Sequence, residues 1–316
     1  MQSSAIIKGL LFNYLRKIKT PITHRLISII ICARTNSISD EQRANIEATI
    51  GASYEVVVID NSKNELTIFE AYNIGVEKSK GDILCFMHDD IFFHTQKWGI
   101  KVKSYFDDPK IGAVGVAGSP YATKMPGSWW AGDLVDQQLL TNKTGALTLA
   151  TKFHDDEEAD FKSVVVLDGI WLCIRKSLFE QISFDNETFK GYHFYDIDIC
   201  LQIVQLNYQM YCVFNIKIEH ISEGNVNEQW IKNALALQRK WKNLLPTQSI
   251  TLTKNEKRLA EFKTLKEFTQ ILIANNYSEK DSYKLAVKEI LRNGFSILSY
   301  KGYIFFLLKY IKSITN

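Results

Sequence analysis

A chain of 316 residues with 46% hydrophobic and 23% charged residues has a globular composition and can bury a sizeable core, enough for one large α/β domain with an appendage or for two small domains. Its net charge of +3 is unevenly placed: residues 1–25 carry 5 basic and no acidic side chains, residues 26–250 carry 21 and 29, and residues 251–316 carry 12 and 6. An acidic body argues against nucleic acid, which needs a basic face, and the basic, apolar ends point instead to an anionic membrane surface.

Cys32, Cys85, Cys173, Cys200 and Cys212 are widely spaced in apolar runs with no CxxC pair. This is the pattern of buried free thiols in a reducing compartment rather than of a zinc ribbon or a disulfide framework. No apolar run approaches the ~20 residues of a membrane span, and the N-terminus shows no cleavable signal pattern. The expected location is cytoplasmic, peripheral on the inner face of the membrane.

Residues 5–19 read as a short amphipathic helix, with Ile7, Leu11, Leu15 and Ile18 on one face, closed by Pro21. Leu26–Cys32 is a β-branched run of the kind found in strands buried on both faces. Helix and strand then alternate: a helix over Asp40–Ile50, a strand over Tyr54–Ile59 ending at Asp60, a helix over Glu65–Ser79, a strand over Asp82–Met87 ending at His88-Asp89-Asp90, a helix over Lys97–Phe106 and a strand over Gly112–Ala117. This alternation predicts a doubly wound parallel sheet, whose ligands bind beyond the carboxyl ends of the strands, where Arg34, Asp60 and His88 to Asp90 gather.

Residues 119–162 are rich in Gly, Trp and acids without periodicity, which reads as a functional loop. Strands follow at Ser163–Leu167 and Ile170–Ile174, a short helix at Lys176–Gln181, a helix at Asp196–Leu206, a strand at Met210–Ile218 and a helix at Asn225–Leu244. Residues 251–316 are helical and Lys-rich. The expected organisation is an N-terminal amphipathic helix (1–25), an α/β domain (26–250) and a helical C-terminal extension (251–316).

Adjacent acids at a strand end facing a crevice, Asp89 and Asp90, suit a hard divalent cation, and His220, after the late strand, is a further ligand. Such an ion neutralises the charge that builds on a leaving phosphate. Asp196 and Asp198 follow the aromatic stretch Phe189–Tyr195, a setting that raises a carboxylate's pKa and suits a general base. Helix capping by the same acids is the competing reading. Trp129 and Trp130 between Gly127 and Gly132, with Trp171, offer indole faces on which a sugar acceptor can stack, and anchoring of the loop in a local core is the competing reading.

Six stretches in order resemble family-two glycosyltransferases: Ser28–Asn36, Val57–Ser62, Ala71–Gly75 with Lys80–Leu84, Phe86–Ile91, Asp168-Gly169 with Phe184-Asp and Tyr195–Cys200, and Glu219–Ser222. The resemblance covers residues 26 to 245. It implies a GT-A fold, with a mostly parallel central sheet flanked by helices, that binds a sugar nucleotide and Mn2+ or Mg2+. By the same resemblance Asp60 binds the base, Asp89 the ribose or metal, Asp90 and His220 the metal, and Asp196 is the base of an inverting displacement. Ala33, Arg34 and Asn73, within the matched stretches, are further nucleotide-sugar contacts. The implied function is sugar transfer to a glycan or lipid-linked acceptor in cell-surface polysaccharide synthesis, in a divergent bacterial branch.

Four positions depart from the family pattern. His88 replaces the first Asp of the metal motif, Ala33-Arg34-Thr35 replaces a Tyr-containing strand end, Tyr72 replaces Arg, and Tyr195 replaces Glu before the base. These keep open a catalytically inactive sugar-nucleotide-binding module, and Arg34 after the first strand keeps open a sugar nucleotidyltransferase.

Overall fold

The β-branched run at the start forms strand β1 (Ile27–Ala33), whose side chains alternate between two apolar layers. Ile27, Ile29 and Ile31 enter one layer and Ile30 the other, which is why the run carries no polar alternation. The structure is a computed structural model that describes residues 25–142, 147–155, 159–221, 224–275 and 277. The expected N-terminal helix and the apolar, basic run at 302–312 lie outside the described residues.

The first helix, α1 (Asp40–Ile50), is capped by Ser39, and β2 (Tyr54–Asp60) pairs parallel with β1 so that Ala33 stands beside Asp60. Helix α2 (Ile68–Lys78) begins three residues later than the sequence pattern because Thr67 and Glu70 form a capping box. Gly75 lets α2 lie against β1; a Cβ there would stand 2.3 Å from Cγ2 of Ile30. Strand β3 (Ile83–Met87) pairs parallel with β1, and a short β4 (Ile91–Phe93) and helix α3 (Trp98–Tyr105) follow. Next come β5 (Ile111–Gly115), β6 (Ala117–Ser119) and β7 (Tyr121–Ala122).

The stretch expected to be irregular contains a hairpin, β8 (Asp136–Asn142) with β9 (Leu147–Lys152). Its outer strand is exposed on both faces, so no apolar alternation announced it. Beyond it lie β10 (Phe161–Val164), β11 (Val166–Leu167), β12 (Trp171–Arg175), a 3-10 turn (Lys176–Glu180), α4 (Tyr195–Gln205) and β13 (Gln209–Val213). Strand β14 (Ile218–His220), α5 (Glu228–Lys240), β15 (Thr247–Gln248) and α6 (Lys254–Ala274) complete the described chain.

The central sheet has the order β10-β13-β5-β12-β3-β1-β2. Five strands run one way and β12 and β10 run against their neighbours, so the sheet is mostly parallel, as the resemblance implied, and not the wholly parallel sheet that the helix–strand alternation alone suggests. A continuous apolar run reports burial on both faces and says nothing about direction, which is why the reversal escaped the sequence. The run expected as one strand over 210–218 is split: β13 belongs to the central sheet and β14 to a second sheet of order β11-β6-β8-β14-β4, with β9 on the side of β8. Phe214 and Ile216 stay buried across the break, so hydropathy shows no gap.

One apolar layer holds α1 and α3 against the central sheet, with Ile46, Ile50, Trp98 and Val102 buried, and the other holds α2, α4 and α5. This is a mixed α/β architecture with helices on both faces of the sheet. No described helix is long and apolar enough to cross a membrane.

The C-terminal helix is fastened to the loop that follows β7. Glu261 accepts hydrogen bonds from the hydroxyl of Tyr121 and the backbone N–H groups of Lys124 and Met125, and Glu267 from the hydroxyl of Ser128. At Gly127 a Cβ would stand 2.4 Å from the Thr264 methyl. Helix α6 therefore docks directly on this loop.

Candidate active site

The carboxyl ends of β1, β2 and β3 open into a cleft of about 800 Å3. Its walls include Ala33, Arg34, His88 to Asp90, Trp129, Trp130, Asp168, Tyr192, Tyr195, Asp196 and His220. Because β12 is antiparallel to β3, Trp171 lies opposite Met87, and the residues just before it reach the end of β3. His88 donates its backbone N–H to the carbonyl of Ile170 at 3.1 Å, which fixes Asp168 and Gly169 beside the 88–90 turn.

That turn is held from below by α1. The buried amide of Gln42 donates to the carbonyls of His88 and Ile91 at 3.3 Å each, and Asn45 exchanges two hydrogen bonds with the backbone of Phe93. Antiparallel pairing of β14 with β4 puts His220 opposite Ile91. Nδ1 of His88 then lies 3.3 Å from Nε2 of His220, which is 3.5 Å from Oδ1 of Asp90. Donor atoms of all three residues lie within 4.8 Å of one another, the one such cluster of three or more His, Cys, Asp or Glu side chains among the described residues. Burial and the neighbouring His220 hold His88 below the usual imidazole range, so it is neutral and able to donate a lone pair.

Asp89 is not part of that cluster. Arg34 clamps its carboxylate with Nε at 3.0 Å from both oxygens, Nη2 at 2.6 Å and a backbone N–H at 3.0 Å. The guanidinium also stands 3.7 Å from Asp90, so an exposed cation lies at the edge of the acidic pair.

Asp196 sits in the first turn of α4 and accepts from the N–H of Gly169 at 3.1 Å and of Ile197 at 2.9 Å. Burial, and after it the charge of Asp168, push its carboxyl up to about 7. Asp168 accepts from the indole of Trp129 at 2.8 Å and from the N–H of Ile170. Asp198, two residues on, has a different role: it is buried and takes the ammonium of Lys240, the indole of Trp241 and the amide of Gln202, tying α4 to α5.

Residues 28–246 match the model of the glycosyltransferase-like family. The chain belongs to that family. No curated protein matches it. Among solved structures, the chain is similar to GalNAc-T7 with UDP, GalNAc and Mn2+, at 14% identity over 69% of this chain and 50% of that one, with a TM-score of 0.47. It is similar to the mannosyltransferase PcManGT from Pyrobaculum calidifontis in complex with GDP-Man and Mn2+, at 14% identity over 99% and 96%, with a TM-score of 0.46. It is also similar to A197 from STIV, at 14% identity over 63% and 86%, with a TM-score of 0.38. The chain thus spans about half the length of GalNAc-T7.

Within this glycosyltransferase-like chain, Ala33, Arg34, Asp89, Asp90, Trp129, Trp130, Asp196 and His220 come together on the cleft. Asp60 is exposed and does not line the cleft, although the next residues Asn61 and Ser62 do; its carboxylate is held below the usual range by the N–H of Ser62. Two expected contacts lie elsewhere. Asn73 spends its amide on both backbone groups of Phe184, at 2.7 and 3.1 Å, and so secures α2 rather than a ligand. Trp171 is 0% exposed, packed edge-on to Phe93 and Trp98, so no sugar ring can reach its face. A continuous apolar run marks a Trp for the core, and Trp171 sits in one, Ile170–Ile174.

His88, Asp168 and Tyr195 complete the cleft, and each stood in a motif whose family pattern has another residue or a structural role there. The Nε2 of His88 meets the hydroxyl of Tyr195 at 3.1 Å, and Tyr192 binds Asn61, Asn64 and Leu66 through its hydroxyl.

The raised carboxyl of Asp196 has a consequence for stability. The unfolded chain releases this proton near the ordinary carboxylate range, whereas the folded chain keeps it until about 7. Folding therefore binds a proton between those values, and stability falls as pH rises through that window, by at most about 1.4 kcal/mol per pH unit. Urea unfolding from pH 4.5 to 7.5 should show wild type losing stability relative to Asp196→Asn across the window. Parallel curves would show that Asp196 is ionised throughout.

Proposed function

We propose that the protein transfers a sugar from a nucleoside diphosphate sugar to a hydroxyl of a glycan or lipid-linked acceptor, by an inverting displacement, in cell-surface polysaccharide synthesis. The observation that carries this reading is the placement, in one cleft, of a His/Asp/His cluster able to hold a metal and a half-buried carboxyl poised near neutrality. Two imidazoles and one carboxylate fit a transition dication such as Mn2+ better than Mg2+, which prefers oxygen. The spacings of 3.3 and 3.5 Å also fit, because ligands about 2.2 Å from an ion at right angles lie roughly 3 Å apart. Bound there, the ion would supply positive charge to the departing diphosphate.

The chain's own residues divide the rest of the work. Ala33, which lines the cleft, and Asp60 beside it, at the ends of β1 and β2, mark the side that takes the nucleoside. Arg34 keeps Asp89 neutralised, so the two adjacent carboxylates do not both repel a diphosphate. Asp196 accepts the acceptor's hydroxyl proton as the oxygen bonds to the anomeric carbon and the bond to the diphosphate breaks. A carboxyl near 7 suits this step, since it is strong enough as a base yet half deprotonated at neutral pH. Trp130, at 45% exposure, offers the acceptor an open indole face, while Trp129 packs edge-on against it and holds Asp168.

Incubation with a panel of sugar nucleotides, Mn2+ and acceptor should release nucleoside diphosphate, with a rate that rises with pH through about 7. Asp196→Asn should lower that rate by ~10²-fold or more with donor affinity retained. Pyrophosphate release would mark a nucleotidyltransferase, and silence across the panel an inactive binding module. Asp90→Ala should abolish Mn2+-dependent donor binding in calorimetry, and unchanged affinity would remove Asp90 from the metal site. We also infer, from the basic residues at both ends of the sequence, that the protein docks on an anionic membrane surface. The full chain should sediment with anionic vesicles and be released by high salt, whereas salt-independent or absent sedimentation overturns the docking.

A further inference from the structure

Two of the departures from the family pattern, His88 and Tyr195, lie 107 residues apart in sequence and touch in space. The hydroxyl of Tyr195 stands 3.1 Å from Nε2 of His88, while Nδ1 of the same ring faces His220 and, beyond it, Asp90. An imidazole that ligates a metal through one nitrogen carries its proton on the other, and whatever accepts that proton fixes the tautomer and the ring's orientation.

We propose that Tyr195 is a positioning residue for the metal site: its hydroxyl oxygen accepts Nε2–H from His88 and so turns the Nδ1 lone pair toward His220 and Asp90. The inference rests on the metal-dependent reading of the cleft given above and extends it to a residue outside the ligand set.

The surroundings of Tyr195 are built for such a task. Its ring is 6% exposed and is fixed by edge-on contacts to Phe69 at 6.3 Å and Tyr72 at 5.4 Å. The hydroxyl lies where any side chain at position 169 would be, since a Cβ on Gly169 would stand 2.1 Å from it. The preceding Phe194 adopts a left-handed backbone, φ 73°, at a helix start that no side chain caps. A non-glycine residue pays for that conformation, and such strain gathers where side chains must be aimed. Tyr195 and Asp196 are thus delivered to the cleft together, the first to the metal ligand and the second to the Asp168 pair.

The two departures make sense as one exchange. An Asp at position 88 would need no tautomer fixed, and a Glu at position 195 would place another carboxylate next to Asp196. With His88 as ligand, a neutral hydroxyl acceptor orients the ring without adding charge to the base.

The test uses the full chain and two readouts. Tyr195→Phe keeps the ring and its packing and removes only the hydroxyl. In metal-free protein, long-range nitrogen–proton correlation spectra, with His88 assigned by its loss in His88→Asp, should show the His88 proton on Nε2 in wild type and a mixture of tautomers in Tyr195→Phe. Mn2+ affinity, read from the spin-resonance signal of free Mn2+, should fall ~10–100-fold in Tyr195→Phe with an unchanged melting temperature. In a His88→Asp background the same substitution should have no effect on Mn2+ affinity. A His88 proton on Nδ1 in wild type, or equal Mn2+ affinity in wild type and Tyr195→Phe, overturns the positioning role alone. Failure of wild type to bind Mn2+ overturns the metal reading and this inference together.

Discussion

The reversed strand β12 is the constraint on which the rest of the cleft depends. Inserted between β3 and β5, it delivers the Asp168-Gly169 turn to the same edge at which β1 and β3 end. A parallel strand in that place would carry its preceding turn to the opposite edge, some 15 Å away over five residues. The turn would then neither receive Asp196 nor border His88. From this one reversal follow the N–H that Gly169 donates to Asp196, the Asp168 carboxylate that adds to burial in raising the Asp196 carboxyl, and the space into which the Tyr195 hydroxyl fits.

The electrostatics of the cleft are arranged in two compartments. On one side, acids at positions 89 and 90 are balanced by Arg34 and accompanied by His220 and a neutral His88, an environment suited to a dication. On the other, desolvation and, after it, the charge of Asp168 hold a proton on Asp196 up to about 7. Trp129 touches the second compartment through its indole N–H and thereby links the loop after β7 to the carboxyl pair. A hydrogen-bonded indole is held in one orientation, and Trp130 takes its position from that.

Much of this was legible in the sequence, and the failures have physical reasons. Helix α1 and strands β1 to β3 were readable because burial on both faces and clear caps leave strong local patterns, and the cluster of polar residues at the strand ends pointed to the edge at which the cleft opens. Strand direction was not readable, because residue burial is the same whichever way a strand runs. The β8–β9 hairpin was hidden by its exposure. Asn73 was placed by motif position and Trp171 by residue type, yet each satisfies its neighbours in the fold: an amide matched to the backbone of Phe184, and an indole in an apolar layer. His88 and Tyr195 are opaque one at a time, since each is only a mismatch in the motif until their contact is seen. Gln42 gave no signal at all, because its hydrogen bonds are to backbone carbonyls whose position depends on the whole turn.

The docking of α6 on the loop after β7 sets an order of assembly. The strands whose ends carry Ala33, Arg34 and His88 to Asp90 belong to the first ninety positions and pair among themselves, whereas the loop bearing Trp129 and Trp130 is hydrogen-bonded to Glu261 and Glu267. During synthesis on a ribosome, the strands of the first part emerge well before α6. The two sides of the cleft therefore mature at different times, and a nascent chain passes through a stage in which the strand-end side is framed while the tryptophan loop still lacks its support. That loop is finished last, by a helix whose described residues line no part of the cleft.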